Sequence, residues 1–159
     1  MTAYRFRVKF AADPRALWRD ILIGGDRPLT AFQATINEAV GLNQEHLWFF
    51  GTDEDYWESP VKYQRPEEYE DLPSGGPMAR DETVYNAAET TIADVIARLD
   101  LDVRDRICYL FDYGSEWRFY AILKDVMDEE PSDRPPAVTN EKGDPVVQYP
   151  PPDEDPRYQ

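Results

Sequence analysis

The decapeptide "FDYGSEWRFY", residues 111–120, sets two carboxylates, Asp112 and Glu116, around a Gly-Ser pair, with Trp117 directly behind. Two carboxyls across one cleft can divide acid and base work, as in glycosidases. His46 is the single histidine, and an imidazole oriented by a carboxylate such as Asp112 can act as a general base. The couple His46–Asp112 is therefore the candidate catalytic pair, although no Ser or Cys stands in a nucleophile motif beside it. Cys108 is the only cysteine, so it has no internal disulfide partner, and its place in an alternating apolar run suits a small buried hydrophobe.

Pairing across the hairpin decides whether the two acids meet. Gly114-Ser115 predicts a two-residue type II′ turn, with Gly at the positive-φ position. Tyr113 then opposes Glu116, Asp112 opposes Trp117 and Phe111 opposes Arg118, and opposed residues share a face. Asp112 falls with Cys108, Leu110, Trp117 and Phe119, whereas Glu116 falls with Tyr113, Arg118 and Tyr120. Acids on opposite faces do not make a glycosidase pair. An apolar setting for Asp112 demands hydrogen bonds from the turn N–H groups, or a partner such as His46, Arg19 or the Trp117 indole. The end of the sheet near Trp18, His46, Asp112 and Trp117 is the expected binding position.

The elements that hold these residues follow from periodicity. "YRFRVKF" alternates Tyr4, Phe6, Val8 and Phe10 with Arg5, Arg7 and Lys9, a half-buried strand. "LWRDILI" reads as a second strand, antiparallel to the first. "LTAFQATINEAVGL" is a helix with Phe32, Ile36 and Val40 on one stripe, a capping box from Thr30 to Gln33, and Gly41 as its left-handed stop. "HLWFF" is a strand buried on both faces. Residues 53–90 show no sustained periodicity and read as an acidic insertion or flap. Thr91 caps a second helix through Leu99, the long hairpin "RICYLFDYGSEWRFYAILKDV" (106–126) follows, and residues 128–159 form an acidic, Pro-rich tail, extended and only partly ordered. Residues 1–127 are thus expected as one α+β domain of β-grasp-like kind, a mixed sheet with a helix on one face in the order ββαβ-(insertion)-αββ.

Composition limits the function classes. The chain has 159 residues, 42% hydrophobic and 13% aromatic, enough for a packed core. No apolar run approaches the roughly 18 residues that span a bilayer, and the N-terminus lacks a secretory apolar segment, so a cytoplasmic protein is expected. The net charge of −15 is concentrated: residues 53–90 hold 11 acidic against 3 basic side chains, and residues 128–159 hold 9 against 3. A salt-rich cytosol accounts for such acidity, as does an ordinary protein with acidic loops; melting with and without molar salt separates the two. Arg5, Arg7 and Lys9 form the one basic row, the nucleic-acid candidate, although most such rows are the solvated side of a strand. "IGGDRP" carries neither phosphate-loop nor dinucleotide glycine spacing. No metal-ligand cluster is spaced for a site, and no cofactor is expected.

The motifs "YRFRVKF", "LWRDILI", "HLWFF" and above all "RICYLFDYGSEWRFYAIL" resemble the plasmid pRiA open-reading-frame-three-like family, also called insertion-element passenger, TnpR-like domains. Asp112, Tyr113, Gly114 and Trp117 match its hairpin pattern, and "GDPVVQYP" is similar to its C-terminal Gly-Pro-Tyr segment. Ser115 stands where the family usually has an acid, and Phe119 where a His is common, which weakens a shared catalytic or metal role. The resemblance implies an α+β domain and no established activity. The expected function is accordingly a small binding or interaction module with an unknown protein or small-molecule partner. An enzyme using His46 and Asp112 under the 53–90 flap, and a nucleic-acid binder using the Arg5, Arg7, Lys9 face, are the alternatives.

Overall fold

A computed structural model of the chain describes residues 2–70, 83–128 and 135–146. Within them one eight-stranded, mostly antiparallel sheet carries the fold. In chain order the elements are β1 (Ala3–Phe10), β2 (Trp18–Gly24), α1 (Leu29–Val40), β3 (Trp48–Gly51), β4 (Val61–Gln64), α2 (Pro66–Glu70), β5 (Thr83–Asn86), α3 (Ile92–Leu99), β6 (Arg106–Phe111), β7 (Trp117–Met127) and β8 (Ala137–Lys142). The strands lie in the order β5-β4-β3-β6-β7-β1-β2-β8, and only β4 with β5 is parallel. The class is α+β.

The alternation in β1 does what its period demands: Tyr4, Phe6, Val8 and Phe10 are buried with Ile21 and Ile23 of β2 and Leu123, Ala121 and Phe119 of β7. The apolar stripes of α1 (Leu29, Phe32, Ile36, Val40) and α3 (Ile92, Val95) join this same cluster, so both helices cover one face. The opposite, outer face holds a smaller cluster of Phe49, Tyr56, Cys108 and Leu110. β3 is buried throughout. Gly41 ends α1 at φ 91, and Thr91 with Asp94 forms a full capping box on α3, each as the residue chemistry predicts.

Three local expectations are corrected. First, Thr30 does not cap α1; Pro28 does, without a side-chain bond, because the Leu29 amide is met by the Thr90 carbonyl at 2.8 Å. Gln33 is thereby free to turn inward, where its amide donates to the Tyr109 hydroxyl at 2.8 Å. That hydroxyl donates to Asn37 Oδ1 at 2.6 Å, in a site where Tyr109 is 1% exposed. Tyr109→Phe leaves the Gln33 donor and the Asn37 acceptor without their shared partner. A loss of about 2 kcal/mol is expected and is read from the urea midpoint; an unchanged midpoint would show the network to be dispensable.

Second, the hairpin register differs by one residue from the type II′ expectation. Phe111 opposes Trp117 and Leu110 opposes Arg118, leaving a five-residue loop. Asp112 (φ 65) and Glu116 (φ 54) take the left-handed conformation, and Gly114 does not. The cause is Asp112 itself, whose Oδ1 accepts from the amides of Gly114 (3.2 Å) and Ser115 (3.3 Å). An aspartate tolerates this backbone because its carboxylate bonds locally. Trp117 therefore shares the helix-covered face with Tyr109 and Phe111, while Cys108 and Leu110 lie on the outer face.

Third, two segments read as irregular contribute strands. The 53–90 stretch supplies β4 and β5, and a 3-10 turn at Tyr56–Glu58; residues 71–82 of the expected flap lie outside the described residues. In the acidic C-terminal region β8 pairs antiparallel with β2. Among the described residues no helix is long and apolar enough to cross a membrane.

Candidate functional site

The hairpin tip sends its two acids to different partners. The Asp112 amide donates to the Leu47 carbonyl at 2.8 Å, which joins the tip to the segment leading into β3. Its free oxygen, Oδ2, stands 3.7 Å from His46 Nε2, with the His46 side chain 33% exposed and that of Asp112 11%. The imidazole also meets the Phe111 ring edge-on at 5.7 Å. Sequence reasoning paired these two residues, and the fold brings them together.

Glu116 instead bonds Arg118 Nη2 at 2.6 Å and accepts from the Trp57 indole at 3.0 Å. The Arg118 contact, and then the indole, hold its carboxyl below the usual glutamate range. A folded pKa lower than the unfolded one means that this contact is intact above the ordinary carboxylate range and is lost as pH falls through the lowered value. Carboxyl carbon titration by NMR is expected to place Glu116 below a free glutamate; a value at or above it would show the contact absent in solution.

Behind Glu116 the outer face is concave. A groove of about 520 Å³ is lined by Phe10, Ala11 and Ala12 on one side and Glu54, Tyr56, Glu116 and Arg118 on the other. A second hollow of about 230 Å³ shares Ala11, Glu54 and Tyr56 with it and adds Arg106, Cys108 and Tyr120. Two parallel constructions line this floor. The Arg118 guanidinium lies 4.9 Å from the Tyr56 ring centre and pairs with Glu116; the Arg106 guanidinium lies 4.9 Å from the Tyr120 ring centre and pairs with Glu54. Tyr56 is fixed by its hydroxyl bond to the Phe119 carbonyl at 2.9 Å, and burial pushes its phenol pKa up, so it stays a neutral donor. At the lip, Trp57 packs on Phe49 and Tyr113 at 5.2 and 4.8 Å and remains 38% exposed.

Comparison with known proteins was decisive for kinship. The family model for plasmid pRiA4b ORF-3-like proteins matches residues 2–151. The chain belongs to that family. Among solved structures, this family member is similar to a Methanosarcina mazei Go1 protein of unknown function, MM3350, with a TM-score of 0.64 and 13% identity, over 92% of this chain and 72% of that one. At that identity the likeness concerns the fold. A search of the curated proteins found no match.

The remaining expected site residues of this pRiA4b ORF-3-like chain are dispersed. Trp117 is fully buried, 5.9 Å from the Phe10 ring, and so offers no surface to a ligand. Trp18 lies on the other side of the sheet, under the Arg7 guanidinium at 3.9 Å. The four-residue cluster of Trp18, His46, Asp112 and Trp117 therefore reduces to its His46–Asp112 half; the register shift and the alternation of β2 separate the rest. Arg7 makes a two-bond ion pair with the buried Asp20, at 2.8 and 3.0 Å. Arg5 pairs with Asp125 and lies 3.6 Å from Asp20. Two of the three cations in the basic row are thus engaged by carboxylates of the neighbouring strands, Asp20 on β2 and Asp125 on β7. Arg19 is not a partner of Asp112 but a buried carbonyl clamp, described below.

The groove residues Tyr56, Arg106 and Arg118 were missed because nothing in their spacing marks a site; only the Arg/aromatic alternation of β7 hinted at them. Among the described residues no group of three or more His, Cys, Asp or Glu could hold a metal. Cys108 lines the smaller hollow, but burial raises its thiol pKa and the thiolate is the reactive form. An aromatic disulfide reagent at pH 7.5 is expected to label it only after denaturation; rapid labelling of the native protein would contradict this burial.

Proposed function

We propose that this pRiA4b ORF-3-like protein is a small, non-catalytic binding module whose ligand enters the outer groove beside the β6–β7 hairpin tip. One observation carries the reading: each groove arginine is held between a tyrosine ring and a glutamate. Planar guanidiniums fixed in this way present their remaining N–H groups without first losing side-chain freedom. An apolar wall faced by a few convergent polar groups is the usual make-up of a ligand site. A cytoplasmic location and the mobile-element passenger character belong to the same proposal.

A fragment screen by saturation-transfer NMR tests it. Hits on the wild type are expected to be lost or weakened severalfold in Arg118→Ala, a partly exposed position whose replacement leaves the core intact. Hits unaffected by that change would remove the groove from consideration.

The 3.7 Å approach of His46 to Asp112 supports a second reading, in which His46 is a general base oriented by Asp112. The 3.7 Å separation is longer than a hydrogen bond, which ranks this reading below the first. It requires ligands to gather at His46 and Leu47. Nucleic-acid binding through Arg5, Arg7 and Lys9 ranks lower again, since the ion pairs to Asp20 and Asp125 already consume most of that row's charge.

A further inference from the structure

Away from the groove the outer face of the sheet changes character. Its hydrophobic cluster takes no residue of β1, β2 or β8, and the helices lie on the opposite face. Strand pairing sets the neighbours there. Lys9 opposes Trp18 and Trp18 opposes Lys142, so the three form one row on one face across β1, β2 and β8. Lys9 and Trp18 are half-buried and Lys142 is exposed.

The tryptophan of this row is held. Asp20, with a side chain that is fully buried, receives two bonds from Arg7 at 2.8 and 3.0 Å. Arg7, so fixed, covers one face of the indole at 3.9 Å from the ring centre, while part of the ring stays accessible. A ring fixed before binding loses little freedom on binding, and tryptophan is among the side chains that most often anchor interfaces. The charges beside it are not matched. Arg5 and Arg7 take Asp125 and Asp20, whereas Lys9 and Lys142 have no ion pair among the described residues. In a chain with 32 acidic side chains, two lysines without carboxylates flank a tryptophan held in place.

Neighbouring strands lie about 4.8 Å apart, so Lys9 and Lys142 stand roughly 10 Å apart at the backbone with Trp18 midway. Along an extended peptide, residues i, i+2 and i+4 share a face and span about 13 Å. Long lysine and glutamate stems absorb the difference. We propose that the outer face of β1, β2 and β8 docks an acidic peptide segment of a partner protein. Its central apolar side chain meets Trp18, and carboxylates two residues to either side reach Lys9 and Lys142. This is a second surface and does not depend on the groove reading. A nucleic acid fits it less well: duplex DNA carries one charge per about 1.7 Å of axis, and two free lysines answer few of these against a net charge of −15.

Acetyl-Glu-Ser-Leu-Ser-Glu-amide, titrated against the ¹⁵N-labelled full chain, tests the proposal. Ionic strength is held near physiological, where the distant acidic segments are screened beyond about 8 Å and close contacts persist. Shifts are expected at Lys9, Lys142 and the Trp18 indole N–H. Affinity is expected to fall about tenfold in the double variant Lys9→Gln, Lys142→Gln, with the rest of the amide spectrum unchanged. The Gln-Ser-Leu-Ser-Gln counterpart is expected to bind the wild type about tenfold more weakly, which checks the carboxylates without altering the protein. Equal binding of the glutamine peptide, or of the glutamate peptide to the double variant, overturns the proposal. A Trp18 indole signal that stays still overturns it too; if the groove amides move instead, the groove reading stands alone. An oligothymidylate that shifts the Lys9–Trp18–Lys142 row while the peptide leaves it still replaces the acidic partner with a nucleic acid.

Discussion

Arg19→Met is expected to destabilise the fold by about 4 kcal/mol, a large effect for one side chain. Arg19 has a side chain only 3% exposed, and its guanidinium donates to four carbonyls: Ala39 at 2.9 Å, Trp18 at 2.9 Å, Lys142 at 2.8 Å and Gly143 at 2.9 Å. The first belongs to the last turn of α1, where carbonyls lack helical partners. The last two belong to the end of β8 and the turn after it. One buried cation thus joins the end of a helix to the edge strand of the sheet. Methionine fills similar volume but leaves those oxygens without their donors. Arg19→Lys is expected to recover less than half of the loss, since one ammonium cannot reproduce a planar fork. Urea midpoints measure the loss, and hydrogen exchange is expected to rise first in β8. A midpoint within experimental error of wild type would show that the clamp is replaceable.

Trp117→Ala is expected to cost a similar amount, about 4 kcal/mol. The indole is fully buried, opposes Phe111 and packs against Phe10, so its removal opens a cavity bounded by two strands and cannot be refilled by a flexible neighbour. The loss is expected in stability, with ligand binding retained in the groove under conditions where the variant is folded. Binding that vanished in a fully folded Trp117→Ala protein would place the indole in the site and contradict its assignment to the core.

The elements themselves were legible wherever a period repeats. Tyr4, Phe6, Val8 and Phe10 announce a strand, and Phe32, Ile36 and Val40 a helix, because burial on one face is a local pattern. Thr91 with Asp94 and Gly41 mark helix ends through short-range hydrogen bonds and φ. The hairpin register was not legible, since Gly114 satisfies the rule for a two-residue turn. The five-residue loop prevails because the Asp112 carboxylate binds the turn amides and Asp112 accepts a left-handed backbone. Strands β5 and β8 were hidden for a different reason: four and six residues at sheet edges, largely exposed in β8, need no alternation. Of the site, the His46–Asp112 approach was readable from the single histidine and from a carboxylate placed on an apolar hairpin face. The groove was not, because it depends on the 3-10 turn at Tyr56–Glu58 lying over β6 and β7, a long-range packing outcome. Arg19 was weighed as a partner for Asp112 and proved to serve α1 and β8, for the same reason.

The central claim is that ligands meet the outer groove and not the His46–Asp112 couple. Amide chemical-shift mapping with the strongest fragment hit at saturating concentration tests it most directly. The account predicts the largest shifts at Ala11, Glu54, Tyr56, Glu116 and Arg118, with His46 and Leu47 nearly still. Shifts concentrated at His46, Leu47 and Asp112, with the groove amides unmoved, would contradict it.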